Sequence, residues 1–246
     1  MVSGALIMAG GRGQRLYPFT AALPKPLMPI GDKPILEHII GRLHQFGIRE
    51  IVLAVNHLAP LIETYFGDGG KLGCRISYIR EDTPVGTAGP IAFLPDFDDS
   101  LIVMNADVIC DIDYAAVIGA HRKAGATITV ASRLVSTVIG SGVLDTDAGG
   151  RIVGYREKPS YDHRICMGIY VIEPKVRSMI EPGRQVDMPE LITRLIDAGE
   201  AVVAYNHTGE WIDIGKPEDY ARAQADFSLF TGSPETTAET ALMAAI

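Results

Sequence analysis

The chain has 246 residues, 47% apolar and 21% charged, which fits a soluble globular protein with one large α/β core and no need of disulfide staples. Its net charge of −8 argues against a non-specific nucleic-acid binder, which wants a basic surface, but not against an enzyme whose cleft attracts a small anion. No apolar run nears the roughly 18 residues of a membrane span, and Cys74, Cys110 and Cys166, odd in number and without a C-x-x-C, fit a reducing compartment and offer no zinc site.

The chain opens without a charged leader and cleavage site, so a cytoplasmic location is expected. Its first strand, over 5–8, breaks abruptly into Gly10, Gly11, Arg12 and Gly13. Three glycines in four positions let the backbone turn tightly and turn its N–H groups toward an anion. Arg15 follows at once, and Lys25 stands between Pro24 and Pro26, which stiffen its approach. The stretch reads as a polyphosphate cradle. It is not a dinucleotide fingerprint, because Leu16 stands where the third glycine should be, nor a P-loop, because Gln14 and Arg15 replace Lys and Ser or Thr. The glycines alone leave an ordinary βα turn with solvated cations equally open.

After Pro34, the apolar residues Ile35, Leu36, Ile39, Ile40, Leu43 and Phe46 form a helical stripe closed by Gly47. A buried-type strand over 51–55 completes a βαβ unit. A helix over 58–66, strands over 76–79 and 101–104, a helix over 114–123 and a strand over 127–131 continue the alternation. This predicts a mostly parallel sheet with helices on both faces and ligands at the carboxyl ends of its strands. From Ser132 the pattern shifts to shorter strands over 143–144, 152–155 and 165–172, expected to form a smaller antiparallel-rich lobe over the sheet's edge. Asp187 with Glu190 resembles a capping box for the helix carrying Leu191, Ile192, Leu195 and Ile196. A strand over 201–205 and a helix from Pro217 close the fold. One domain is expected over 1–230, with a first half over 1–131 and a second over 132–230, and a small, polar, flexible tail over 231–246.

Three further stretches carry chemistry. Glu81 to Ile91, EDTPVGTAGPI, combines the turn at Gly86, the hydroxyl of Thr87 and the close-approach residues Ala88 and Gly89. Asn105-Ala106-Asp107 follows a buried strand, and Asp213 follows Trp211-Ile212. Either carboxylate alone reads as a helix cap or turn former. Phosphoryl transfer, however, needs a hard divalent cation, and Mg²⁺ is commonly held by one or two carboxylates plus substrate oxygens. Glu157-Lys158-Pro159 reads by itself as a surface charge pair at a turn. The six histidines show no acid–base relay and are expected to be structural or on the surface.

The opening stretch resembles the sugar-1-phosphate nucleotidylyltransferase (NDP-sugar pyrophosphorylase) family. It matches that family's motif at Gly10, Gly11, Gly13, Arg15, Leu16, Pro18, Thr20, Pro24, Lys25, Pro26, Leu27, Pro29, Lys33 and Pro34. The resemblance runs from about Ala5 to about Tyr220. It implies a Rossmann-like three-layer nucleotide-diphospho-sugar transferase fold and transfer of NMP from an NTP to a sugar 1-phosphate, releasing pyrophosphate. It further implies that Ala9, Gly10, Gly11, Gly13, Glu81, Gly86, Thr87 and Asn105 bind the nucleotide. Arg15 and Lys25 would be catalytic, Asp107 and Asp213 would hold Mg²⁺, and Gly142, Glu157, Lys158 and Met167 would bind the sugar phosphate.

Within the family VMNADVICDIDY, EDTPVGTAGPI and WIDIGKPEDY look most like mannose-1-phosphate guanylyltransferases, which suggests GTP with a mannose- or heptose-like phosphate. A glucose-1-phosphate thymidylyl- or uridylyltransferase, and a non-catalytic relative that binds sugar nucleotides, are the alternatives. Ala106, Ser141 and Cys166 depart from the family's usual residues and bear on the sugar and ribose contacts rather than on the reaction. By the same resemblance a homodimer or tetramer is expected.

Overall fold

The computed structural model describes residue 2, residues 4–81 and residues 83–226; the tail expected over 231–246 lies outside the described residues. The first apolar run is strand β1, Gly4–Met8. Past the glycine turn a small hairpin of β2 (Pro29–Ile30) and β3 (Lys33–Pro34) leads into helix α1, Ile35–Gln45. Helix α1 buries Ile35, Leu36, Ile39, Ile40 and Leu43, as the 3.6-residue spacing requires. Each such side chain contributes about 1.5–3 kcal/mol when removed from water. There follow β4 (Glu50–Val55), α2 (Ala59–Phe66), β5 (Arg75–Arg80), β6 (Leu101–Asn105) and the short β7 (Val108–Cys110). Helix α3, Tyr114–Ala124, starts where the Asp113 carboxylate accepts from the Ala116 N–H and stops at the left-handed Gly125. The second half contributes β8 (Ile128–Val138), β9 (Val143–Thr146), β10 (Ile152–Arg156), β11 (Ser160–Ile172), α4 (Met188–Asp197), β12 (Val202–Asn206), β13 (Trp211–Asp213) and α5 (Pro217–Ala225).

Seven strands share one sheet in the order β12, β8, β11, β6, β1, β4, β5. Strand β11 is antiparallel to both of its neighbours, and the other pairings in this sheet are parallel. One face packs Ile7, Ile51 and Ile102 against α1, α2 and α3. The other packs Leu6, Val103 and Ile172 against Leu191 and Leu195 of α4. The mostly parallel α/β architecture is therefore present, with the crevice at the carboxyl ends of β1, β4 and β6. Outside the main sheet β13 pairs antiparallel with β7, setting Asp213 opposite Val108.

Two features differ from expectation. Strands β8 and β11 run for 11 and 13 residues, and their far ends stay paired beyond the sheet, Arg133 with Ile165 through Val138 with Ser160. The antiparallel lobe, completed by the β9–β10 hairpin, therefore grows out of strands within the sheet instead of lying over its edge. Polar residues on both faces of this ribbon, among them Arg133, Ser136, Asp162 and Arg164, let the pairing continue in water after the core has ended. The second difference is at α4. Asp187 occupies the N-cap position and its carbonyl accepts from the Leu191 N–H at 3.0 Å, but its side chain makes no hydrogen bond to the helix backbone, and Glu190 pairs with Arg194, so no capping box forms. The Asp187 carboxylate is engaged elsewhere, as described below.

The β8–β11 pairing is interrupted between Cys166 and Tyr170. At this irregularity Gly168 is left-handed (φ 74°), and a Cβ there would lie 2.7 Å from Asn105 Nδ2. Gly168→Ala should therefore cost roughly 1–2 kcal/mol of backbone strain alone. The urea midpoint should fall, and Asn105 should be displaced from its strand end; an unchanged midpoint would show that the irregularity tolerates a side chain.

Candidate active site

Strand β1 ends at Met8, and Ala9 still follows the sheet, its N–H donating to the Ala54 carbonyl at 2.8 Å. The chain then turns at Gly10, Gly11 and Gly13. Gly13 is left-handed (φ 59°), and its carbonyl accepts from the Thr20 hydroxyl at 2.9 Å and from the Leu16 N–H at 2.9 Å. Leu16 is fully buried, so the turn is anchored to the core just past Arg15. The proline-flanked Lys25 is itself only 9% exposed, and its Nζ donates to Asp107 Oδ2 at 2.5 Å. The glycine turn, Arg12, Gln14, Arg15, Lys25 and Asp107 line a cavity of about 500 Å³. Among the described residues neither Arg12 nor Arg15 forms an ion pair, whereas Lys25 is committed to Asp107. The cavity thus offers two guanidinium groups outside any ion pair, a buried ammonium and backbone N–H groups, a composition suited to a polyphosphate.

A second cavity, of about 280 Å³, adjoins the first and shares Met8, Gly11 and Asp107 with it. Its walls include Gly10, Asn56, Glu81, Gly86, Thr87 and Asn105. Asn56, at the carboxyl end of β4, donates through Nδ2 to the Glu81 carbonyl at 2.6 Å. Glu81 Oε2 accepts from the Val85 N–H at 3.2 Å, and burial pushes the pKa of this carboxyl above its usual value. The two cavities together form one cleft with a charged end and a smaller, more apolar end.

Asp107 and Asp213 come together because β7 and β13 pair; the Ile214 N–H donates to the Asp107 carbonyl at 2.9 Å. Asp107 Oδ1 and Asp213 Oδ1 are both buried without a hydrogen-bond partner. The Asp213 carboxyl is held above its usual range, first by burial and then by the neighbouring Asp107, with Lys25 and Arg15 opposing. Two buried, unsatisfied carboxylate oxygens on neighbouring residues are a donor set that fits a divalent cation. Among the described residues no cluster of three or more His, Cys, Asp or Glu converges, so a cation here would draw its remaining oxygens from substrate and water. Gly215 lets Arg15 lie close, since a Cβ there would stand 3.2 Å from the guanidinium.

The residues assigned to the sugar phosphate form a different patch. Gly142 lies against Tyr155, whose hydroxyl donates to Glu157 Oε2 at 2.6 Å. Lys158 is exposed and takes a left-handed backbone (φ 44°), unusual for a side chain of this kind and more so before a proline. Met167 is 1% exposed, so its side chain belongs to the core, and its carbonyl accepts from the Trp211 indole at 3.2 Å. Neither cavity of the cleft is lined by these four residues. Arg12 and Gln14 of the phosphate end, and Asn56, were not singled out from sequence. The first two stand at variable places of a glycine motif, and Asn56 had only its position after a strand to mark it. Thr87 lines the smaller cavity but directs its hydroxyl and amide toward Asp187. The histidines are structural where buried: His121 bridges Thr129 and Glu173, and His207 meets Glu210 and Asp111.

Comparison with known proteins follows the same lines. The chain is 37% identical over 239 residues to a UTP–glucose-1-phosphate uridylyltransferase of Synechocystis, covering 89% of this chain and 62% of that protein. It is 34% identical over 229 residues to the mannose-1-phosphate guanylyltransferase of Mycobacterium tuberculosis, covering 90% and 64%. The chain thus spans less than two thirds of the length of these two relatives. Among solved structures, HddC from Yersinia pseudotuberculosis superposes with a TM-score of 0.71 at 26% identity, over 92% of this chain and 100% of that one, and the figures are the same for its complex with GMP-PN. The Nucleotidyl transferase family model matches residues 4–228, and the chain accordingly belongs to the nucleotidyl transferase family.

Proposed function

We propose that this chain transfers NMP from an NTP to a sugar 1-phosphate with release of pyrophosphate, and that the NTP is GTP and the sugar mannose- or heptose-like. The observation that carries the reading is the pair of buried, unpartnered carboxylate oxygens of Asp107 and Asp213 beside Lys25 and the glycine turn. The triphosphate lies along the charged end of the cleft, with Arg15, joined by Arg12, against the leaving β- and γ-phosphates. The base occupies the smaller cavity beside Glu81 and Gly86. Lys25 faces the α-phosphorus, and Lys158 with Glu157 brings the sugar phosphate from the lobe for in-line attack. Mg²⁺ held by Asp107 and Asp213 would neutralise phosphate charge. The chain's own contribution is positioning and fixed positive charge, with no covalent nucleophile.

GTP is favoured by the guanylyltransferases among the relatives, at 32–36% identity, and by the HddC structure solved with GMP-PN. UTP with glucose 1-phosphate is the second reading, and the 37% identity to the Synechocystis uridylyltransferase supports it. Pyrophosphate release, measured with Mg²⁺ while crossing GTP, UTP, dTTP, CTP and ATP against a panel of sugar 1-phosphates, should depend on one NTP and one sugar phosphate together. Release with no such pair would remove the transferase reading.

Lys25→Ala should lower kcat by about a hundredfold while raising the KM of the NTP much less, because its charge acts on the α-phosphorus as the bond breaks. An unchanged kcat would take Lys25 out of the mechanism. Asp213→Asn should separate stability from activity. A carboxyl whose folded pKa is raised destabilises the fold once ionised; that penalty is present above the folded pKa and is relieved as pH falls toward the unfolded value of about 3.9. Asp213→Asn should therefore raise the Tm in metal-free buffer at pH 7, with the gain shrinking toward pH 4, and activity should fall by roughly a hundredfold or more. A lowered Tm at pH 7 would contradict the assignment of an uncompensated charge there.

A further inference from the structure

Asp187 stands where a capping carboxylate belongs, yet its hydrogen bonds run to a residue 100 positions earlier. Its Oδ1 accepts from the Thr87 N–H at 2.9 Å and from the Thr87 hydroxyl at 3.3 Å. The Thr87 oxygen in turn accepts from the Met188 N–H at 2.8 Å. The capping task at the start of α4 has thus passed to a threonine from the first half of the chain. Asp187 is left free to fasten that threonine.

The contact is broader than one side chain. The Val186 N–H donates to the Val85 carbonyl at 2.9 Å, and the Val186 carbonyl accepts from the Ala88 and Gly89 N–H groups at 2.9 and 3.2 Å. Gly86 makes the approach possible: a Cβ there would stand 2.4 Å from the Val186 carbonyl oxygen and 2.9 Å from Asp187 Oδ1. Beneath, Ala88, Ile91 and Leu94 share an apolar cluster with Val186, Met188 and Leu191. The outer face of the same loop, through Glu81, Gly86 and Thr87, walls the smaller cavity of the cleft. The Val85 N–H ties Glu81 Oε2 to the loop's start, so a shift of residues 85–89 moves the carboxylate as well.

We propose that Asp187 is a positioning residue for the nucleobase: through Thr87 it fixes the loop over 84–89, and so sets NTP affinity and NTP discrimination without touching the nucleotide. The inference rests on the reading of the smaller cavity as the base site. Asp187 and Thr87 are exposed, so their hydrogen bonds exchange with water at little cost to global stability. Their removal is felt instead as a loosened wall of the base cavity.

The test uses the full chain with Mg²⁺ and each of GTP, UTP, dTTP, CTP and ATP, reading Kd by calorimetry and steady-state pyrophosphate release with the accepted sugar 1-phosphate. Asp187→Ala should raise the Kd and KM of the preferred NTP by roughly tenfold and narrow its advantage over the other four. The kcat at saturating NTP and the KM of the sugar phosphate should stay within about twofold. Asp187→Asn should restore wild-type values, because its amide oxygen accepts the same two hydrogen bonds. An Asp187→Ala variant with a lower Tm but an unchanged Kd would reduce Asp187 to a helix-end residue and overturn the proposal while leaving the transferase reading intact. Wild-type protein that binds an NTP but releases no pyrophosphate would sink the transferase reading, and the positioning role would then be decided on the Kd values alone. Wild-type protein that binds none of the five would overturn both.

Discussion

Two carboxylates of like sign, Asp107 and Asp213, are held near one another, half-buried, by the pairing of β7 with β13. This is costly for Asp213, whose ionisation is opposed first by burial and then by the charge of Asp107, with Lys25 and Arg15 offsetting part of it. The surrounding structure can be read as what makes that pair tolerable. The β7–β13 pairing fixes the two backbones relative to one another. The prolines on either side of Lys25 and the burial of the neighbouring Leu27 keep the ammonium against Asp107. In the proposed reaction a cation arriving with the triphosphate would offset this charge and favour the loaded state over the empty one.

The sheet topology explains how residues so distant in sequence converge. Glycine turn, Asn56, Asn105 and Asp107 all follow the carboxyl ends of β1, β4 and β6, three adjacent parallel strands. Asp213 arrives from the other end of the chain by pairing with β7, and the loop over 84–89 is backed by Val186 and Asp187. The residues of the candidate site are therefore divided among segments whose relative positions are set by backbone hydrogen bonds rather than by flexible side chains.

Most of the first half was legible in the sequence because its signals are local. The stripe from Ile35 to Leu43, the continuous apolar runs of β1, β4 and β6, and the glycine turn each declare themselves within a dozen residues. The pairing of Asp107 with Asp213 was reached only through motif resemblance, since no local pattern says that β7 and β13 are neighbours. What escaped was non-local. The lengths of β8 and β11 depend on each supplying the other's hydrogen bonds past the core, and hydrophobic pattern is a poor guide there because Ser136 and Asp162 are exposed and the half-buried Arg133 donates to the Gly209 carbonyl. Asp187 with Glu190 has the spacing of a capping box, but Thr87 competes for the carboxylate from 100 residues away. Met167 stood in a motif of the sugar lobe, yet its apolar side chain is satisfied in the core.

The central place of β11 has a consequence for how the chain is born. Strands β6 and β8 lie on either side of it and do not touch each other in the sheet, so everything from Leu101 to Val138 leaves the ribosome before the strand that joins it. Until Ile172 has emerged, β6 presents an open, apolar edge of exactly the sort that pairs with foreign strands. The order of synthesis thus leaves a vulnerable interval in the middle of translation, closed for β6 when β11, antiparallel to both its neighbours in the seven-stranded sheet, pairs with it.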